Sequence, residues 1–117
     1  MAVDFKPRKI KFKAWNTDTR LLMRLNSIDC NKGELFKKDH ILLQFTGLSD
    51  KGGEEIYDMD VLLIYSDKYV VFWDDQKGGW FYRPLEGAEA KPFLEPEAGK
   101  MKRFCSYFEL LGGQVAW

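Results

Sequence analysis

The five residues Ser49-Asp50-Lys51-Gly52-Gly53 constrain this chain more than any other stretch. An apolar run, Ile41 to Thr46, enters them, and Glu55 to Tyr57 leaves in the opposite direction. Adjacent glycines after an aspartate supply the positive φ values that a tight reversal needs without a Cβ clash. The stretch is therefore a hairpin turn, and its flanks are strands. A polar corner at Asp58 to Asp60 then launches a third run, Val61 to Tyr65.

The same grammar recurs along the chain. Arg8 to Trp15 alternates, with Ile10, Phe12 and Ala14 on one face and Lys9, Lys11 and Lys13 on the other, the period of a half-buried strand. Asn16-Thr17-Asp18-Thr19 turns it back into Arg20 to Ile28. Asp29 to Gly33 reads as a further turn and Glu34 to Lys37 as a short strand. Val61 to Tyr65 and Tyr69 to Trp73 are apolar on both faces, joined by Ser66-Asp67-Lys68 and followed by the turn Asp74 to Gly79 and the strand Trp80 to Arg83. Such a pair belongs inside a barrel or sandwich, or beneath a second copy, so self-association is also expected. Residues 84–102, with Pro92, Pro96 and four glutamates, read as a loop with at most one helical turn. Phe104 to Leu111 reads as a strand, and Gln114 to Trp117 as a closing segment.

Short strands at turn-punctuated intervals, with no long amphipathic helix, predict an all-β fold, a small β-barrel. The 117 residues suit one domain: an added N-terminal hairpin over about 8–28 and a barrel core over about 41–117. An aromatic content of 15% argues against disorder, because burying those rings offsets the entropy lost on folding.

Eighteen basic residues balance eighteen acidic ones, so no global charge points to nucleic acid or membrane. The balance hides an asymmetry. Residues 1–14 carry five cations against Asp4 alone, whereas residues 47–75 carry eight acids against Lys51 and Lys68. Opposite-signed segments of one small domain are expected to lie close and neutralise. The start lacks the apolar centre of a secretory signal, and no run is long enough to span a bilayer. These features and the two widely separated cysteines, Cys30 and Cys105, predict a reduced, cytoplasmic protein with both thiols buried.

Three blocks resemble the YopX family of bacteriophage and prophage proteins. They are Arg8-Lys9-Ile10-Lys11-Phe12-Lys13-Ala14-Trp15, the run Gln44 to Tyr57 followed by Asp60-Val61, and Glu109-Leu110-Leu111-Gly112. The resemblance implies an SH3-like β-barrel core and a phage or prophage origin. It implies no activity, and fold alone would supply none. Two positions depart from the family pattern. Met59 stands where the family usually has glycine, which predicts a differently shaped corner; and Gly113 to Trp117 replaces an Asn-containing continuation.

Several constellations bear on chemistry. Glu54, Glu55, Asp58 and Asp60 could hold a divalent cation or divide acid and base roles, yet the alternate ligand spacing of a calcium loop is missing, so Asp58 or Asp60 is expected to accept backbone N–H bonds at the corner. His40 lacks a nucleophile elbow or metal-ligand spacing nearby and reads as a turn histidine. The glycine pairs lack the Lys-Ser/Thr and following helix of a phosphate cradle. No catalytic residue, metal site or cofactor is predicted. A binding face remains: Lys9, Lys11, Lys13 and Trp15 on the first hairpin, with Tyr57, Asp58 and Asp60 at the corner. Trp73, Trp80 and Tyr82 offer a second aromatic platform, against which stands the expectation that Trp73 and Trp80 fill the core.

The leading expectation is a non-enzymatic phage or prophage accessory protein that binds a host or phage macromolecule, protein rather than nucleic acid, with no membrane role. The alternatives are a single-stranded nucleic-acid binder using the basic strand and tryptophans, and a metal-dependent enzyme built on Glu55, Asp58 and Asp60.

Overall fold

The computed structural model describes residues 5–87 and 89–112. Among the described residues eleven strands and two short helices follow in order: β1 (Phe12–Asn16), β2 (Leu22–Arg24), β3 (Asp29–Asn31), β4 (Glu34–Phe36), β5 (His40–Ser49), β6 (Glu55–Tyr57), β7 (Asp60–Ile64), β8 (Asp67–Asp74), β9 (Gly79–Pro84), β10 (Lys91–Pro92), α1 (Glu95–Ala98), β11 (Lys102–Ser106) and α2 (Tyr107–Leu111). All pairings are antiparallel. One sheet runs β2-β1-β5-β6, a second runs β10-β9-β8-β7-β11, and β3-β4 forms a separate ribbon. The all-β expectation holds.

The turn that organises the sequence is where it was expected. Asp50 Oδ1 accepts the backbone N–H groups of Gly52 and Glu54 at 2.8 and 2.9 Å, and Gly53 takes φ +85°. Only glycine adopts that angle without steric cost.

The corner after it joins the two sheets. The Asp58 N–H donates to the Gln44 carbonyl on β5, and the Met59 N–H donates to the Val71 carbonyl on β8, both at 2.8 Å. The Met59 carbonyl accepts from Tyr107 at the head of α2. Met59 has φ +64°, in the left-handed region that glycine occupies without steric cost, and methionine bears it.

The core gathers Ile56, Leu62, Val71, Phe93, Ala98 and Met101, ringed by Leu48, Ile64, Trp80 and Tyr82. Phe93, Ala98 and Met101 come from the stretch expected to be a loop. β10 and α1 fold it back over β9, where the Phe93 N–H donates to the Trp80 carbonyl at 2.9 Å. Val61, Leu62, Val70 and Val71 are buried within a single copy, whereas Tyr65 and Trp73, from the same two apolar runs, stay exposed.

Other boundaries shift for local reasons. β1 starts at Phe12 rather than Arg8, leaving Lys9 outside the ladder and Ile10 60% exposed. Asp29 to Asn31 pairs with β4 instead of turning; the turn is Lys32-Gly33, both at positive φ. The strand expected from Phe104 to Leu111 is corrected most. β11 stops at Ser106, whose hydroxyl accepts from the Phe108 N–H while Glu109 accepts from the Ser106 N–H at 2.9 Å. That reciprocal cap starts α2 where alternation alone suggested more strand. The expected closing segment Gln114 to Trp117 lies outside the described residues.

Candidate functional site

Asp60 opens β7 with its side chain only 2% exposed, and a carboxylate removed from water needs a counter-charge. β11, the other neighbour of β7, provides it. Arg103 Nε donates to Asp60 Oδ2 at 2.9 Å and Nη2 to Oδ1 at 3.3 Å, while the Tyr57 N–H donates to Oδ2 at 2.8 Å. Burial holds the Asp60 carboxyl above its ordinary range, and the Arg103 charge and these bonds pull it back down. The Arg103 guanidinium is raised in turn, burial being outweighed by Asp60 and Glu54. The Arg103 backbone N–H donates to Asp50 Oδ2 at 2.8 Å, so one residue ties the hairpin turn to the corner. Burial alone would raise Asp50, but the backbone N–H groups of Arg103, Glu54 and Gly52 bring its carboxyl below the usual value.

The basic strand meets this acidic group. Lys11 Nζ pairs with Glu55 Oε2 and lies 4.9 Å from the centre of the Phe45 ring. Lys13 Nζ lies 4.6 Å from the centre of the Tyr57 ring, and burial followed by Arg103 repulsion lowers its pKa. The Glu55 carboxyl is held down by the Lys11 hydrogen bond, and the Tyr57 hydroxyl is pushed up by burial and the Glu55 charge. The two oppositely charged segments therefore lie together, as their asymmetry suggested.

Of the sequence-predicted site residues, Lys11, Lys13, Tyr57 and Asp60 come together in this network. Lys9 stands apart, exposed ahead of β1. Trp15 corrects the expected exposed edge. Its side chain is 6% exposed and stacks on Phe108 of α2, with ring centres 5.7 Å apart, because α2 covers that face of β1. Arg103 is the member that strand-by-strand reading missed. A lone arginine beside the apolar run Phe104-Cys105 was the available signal, since a buried acid at Asp60 demands a cation.

Asp58 lies elsewhere. It lines a cavity of about 320 Å³ with Arg8, Phe12, Leu42, Gln44, Trp73 and Trp80. Burial pushes its carboxyl up to about 6, the nearby Asp60 charge adding to this and the backbone N–H groups of Trp73 and Met59 opposing it. Trp73 corrects the core expectation, being 45% exposed, whereas Trp80 packs against the core. The two rings stand at 75° with centres 5.2 Å apart. Tyr82 does not join them; it packs on Tyr69 and Phe93.

The remaining candidates have local partners or none of the required company. His40 Nδ1 is 2.7 Å from the Lys38 carbonyl, and Nε2 is 3.3 Å from the Asn16 amide, which fixes the ring beside the first hairpin. Cys105 is buried, and burial and Glu109 push its thiol up to about 11. Cys30 is exposed on the β3-β4 ribbon, contrary to expectation. Among the described residues no three His, Cys, Asp or Glu side chains cluster to hold a metal ion, and no helix is long and apolar enough to cross a membrane.

Comparison with known proteins adds family and fold. A search of curated proteins finds no match. The crystal structure of protein EF1440 from Enterococcus faecalis is similar to this chain with a TM-score of 0.64 and 19% identity. The likeness covers 93% of this chain and 100% of that one, and at this identity it shows the shared fold alone. The family model described as YopX protein matches residues 8–102, which include the basic strand, the glycine turn and the corner. The chain belongs to the YopX family.

Proposed function

We propose that this chain is a phage- or prophage-encoded accessory protein that works in the bacterial cytoplasm by binding another macromolecule, a protein rather than a nucleic acid, without catalysing a reaction. The observation that carries the reading is the internal neutralisation of its charges. Lys11 ends on Glu55, Lys13 on the Tyr57 ring, and Arg103 on Asp60. A polyanion binder needs cations free to replace counterions along a phosphate backbone, and two of the three strand lysines are engaged elsewhere. Trp15, the stacking partner that a single-stranded nucleic acid would use beside them, is buried. Glu55 and Asp60 are occupied by Lys11 and Arg103 in the same way, which weighs against a divalent cation held by Glu55, Asp58 and Asp60. What remains open is the half-exposed Trp73 and its cleft, an aromatic surface of the kind that anchors protein contacts.

The test is affinity capture from host lysate at several salt concentrations, with Trp73→Ala as the paired control. Recovery of a defined protein that the variant fails to recover supports the reading. Recovery of nothing but the bait at every salt concentration counts against it. Salt-sensitive quenching of tryptophan emission by oligonucleotides would move the reading to the nucleic-acid alternative.

A further inference from the structure

The cleft beside Asp58 is assembled by register. Phe12 opposes Gln44 across β1 and β5, and Trp73 opposes Trp80 across β8 and β9. The corner at Asp58–Met59, bonded to both sheets, brings the two pairs to one cavity with Leu42 and Arg8. The Trp73 indole N–H donates to Asp75 at 2.8 Å. That N–H is thereby engaged within the chain and is not free to donate to a visitor.

The wall chemistry selects the sign of that visitor. Aromatic faces carry negative quadrupole potential and attract a desolvated cation. Asp58 adds a carboxylate that forms no ion pair among the described residues, its neighbour Asp60 having taken Arg103. An anion would be repelled by both. A neutral apolar group would dry the carboxylate without giving it a counter-charge, which is costly. A guanidinium or ammonium group satisfies rings and carboxylate together. Arg8, exposed on the lead-in to β1, lines the same cavity and repels a second cation. The fitting segment therefore carries one basic residue beside an acidic or neutral one rather than a polybasic run.

We propose that this cleft docks a single arginine or lysine side chain of a protein partner, seated against Trp73 and Trp80 and paired with Asp58. This deepens the binding reading above and rests on it.

The experiment follows the indole N–H resonances of ¹⁵N-labelled protein during titration. The probes are a blocked tetrapeptide Gly-Arg-Glu-Gly, the same peptide with glutamine in place of arginine, and guanosine monophosphate. The arginine peptide is expected to shift the Trp73 and Trp80 signals saturably and leave Trp15 unmoved, with the glutamine peptide far weaker. Asp58→Asn, which keeps an acceptor for the backbone N–H groups, is expected to weaken binding about tenfold, and Trp73→Ala by a similar factor. Equal responses to the two peptides, undiminished affinity in Asp58→Asn, or preferential shifts with the nucleotide would each overturn the inference. If lysate capture survives in both variants while the arginine peptide fails to bind, the cleft assignment falls and the binding-protein reading stands. If the arginine peptide binds the cleft as expected while lysate capture returns nothing, the cleft assignment stands and the broader reading fails.

Discussion

Replacing Arg103 with methionine strips the buried Asp60 carboxylate of its cation while keeping most of the side-chain volume. The Asp60 side chain is 2% exposed and that of Arg103 11%, so water cannot substitute for the lost guanidinium. Among the described residues the Tyr57 N–H would be left as the donor to the carboxylate. Breaking a buried pair from one side costs about 3–5 kcal/mol, against about 5–15 kcal/mol for the whole stability of a domain. Guanidinium unfolding followed by tryptophan emission should therefore show a midpoint lowered by roughly a fifth or more, with an unchanged slope. The loss has a pH signature. Burial already holds Asp60 above the ordinary carboxylate range, and removing Arg103 raises it further. A carboxyl raised in the folded state stabilises below its unfolded pKa, and that contribution disappears as pH climbs through the folded value. The deficit of Arg103→Met relative to the parent is thus greatest near neutrality and shrinks in acid as Asp60 takes a proton. Adding Asp60→Asn should recover much of the loss, because the uncompensated charge is gone. A cost below about 1 kcal/mol, or a deficit flat from about pH 4 to pH 8, would refute this view of the pair.

Three further outcomes can be checked on the same footing. Met59→Gly should raise the melting temperature by about 2–4 °C in a thermal scan, since relief of the left-handed conformation outweighs the entropy that glycine adds to the unfolded chain. Ser106→Ala removes the cap that starts α2 and should cost about 1–2 kcal/mol in chemical denaturation, with Trp15 emission shifting as Phe108 loosens. Asp58, raised to about 6, contributes stability below its unfolded pKa that is lost as pH rises through about 6; unfolding of Asp58→Asn should lack that downward slope, on the order of 3 kcal/mol in the parent.

The strands were legible because their signals are local. Alternation in Lys9 to Ala14, the pair Gly52-Gly53 and the apolar runs on either side of Ser66 to Lys68 each dictate backbone geometry within a few residues. Residues 84–102 hold the single helical turn their composition allowed, α1, but their share of the core was not legible, for the opposite reason. Phe93, Ala98 and Met101 are separated by prolines and glutamates with no period, and they become core only when β9 and the glycine turn offer them a surface. The end of β11 was legible and missed: Ser106-Tyr107-Phe108-Glu109 carries the spacing of a reciprocal cap, but the apolar letters around it favoured a strand. The site divides in the same way. The charge asymmetry placed the basic strand near the acidic corner, yet the split between Asp60, which takes Arg103, and Asp58, which faces two tryptophans, depends on which sheet each side chain faces. No one-dimensional pattern carries that.

The most direct test of the functional reading is a pair of titrations of the ¹⁵N-labelled protein, one with the arginine peptide and one with a single-stranded oligonucleotide. The expected result is movement of the Trp73 and Trp80 indole signals with the peptide alone, with the buried Trp15 indole still in both. Movement along Lys9 to Trp15 with the oligonucleotide, and none at the tryptophan cleft with the peptide, would contradict it.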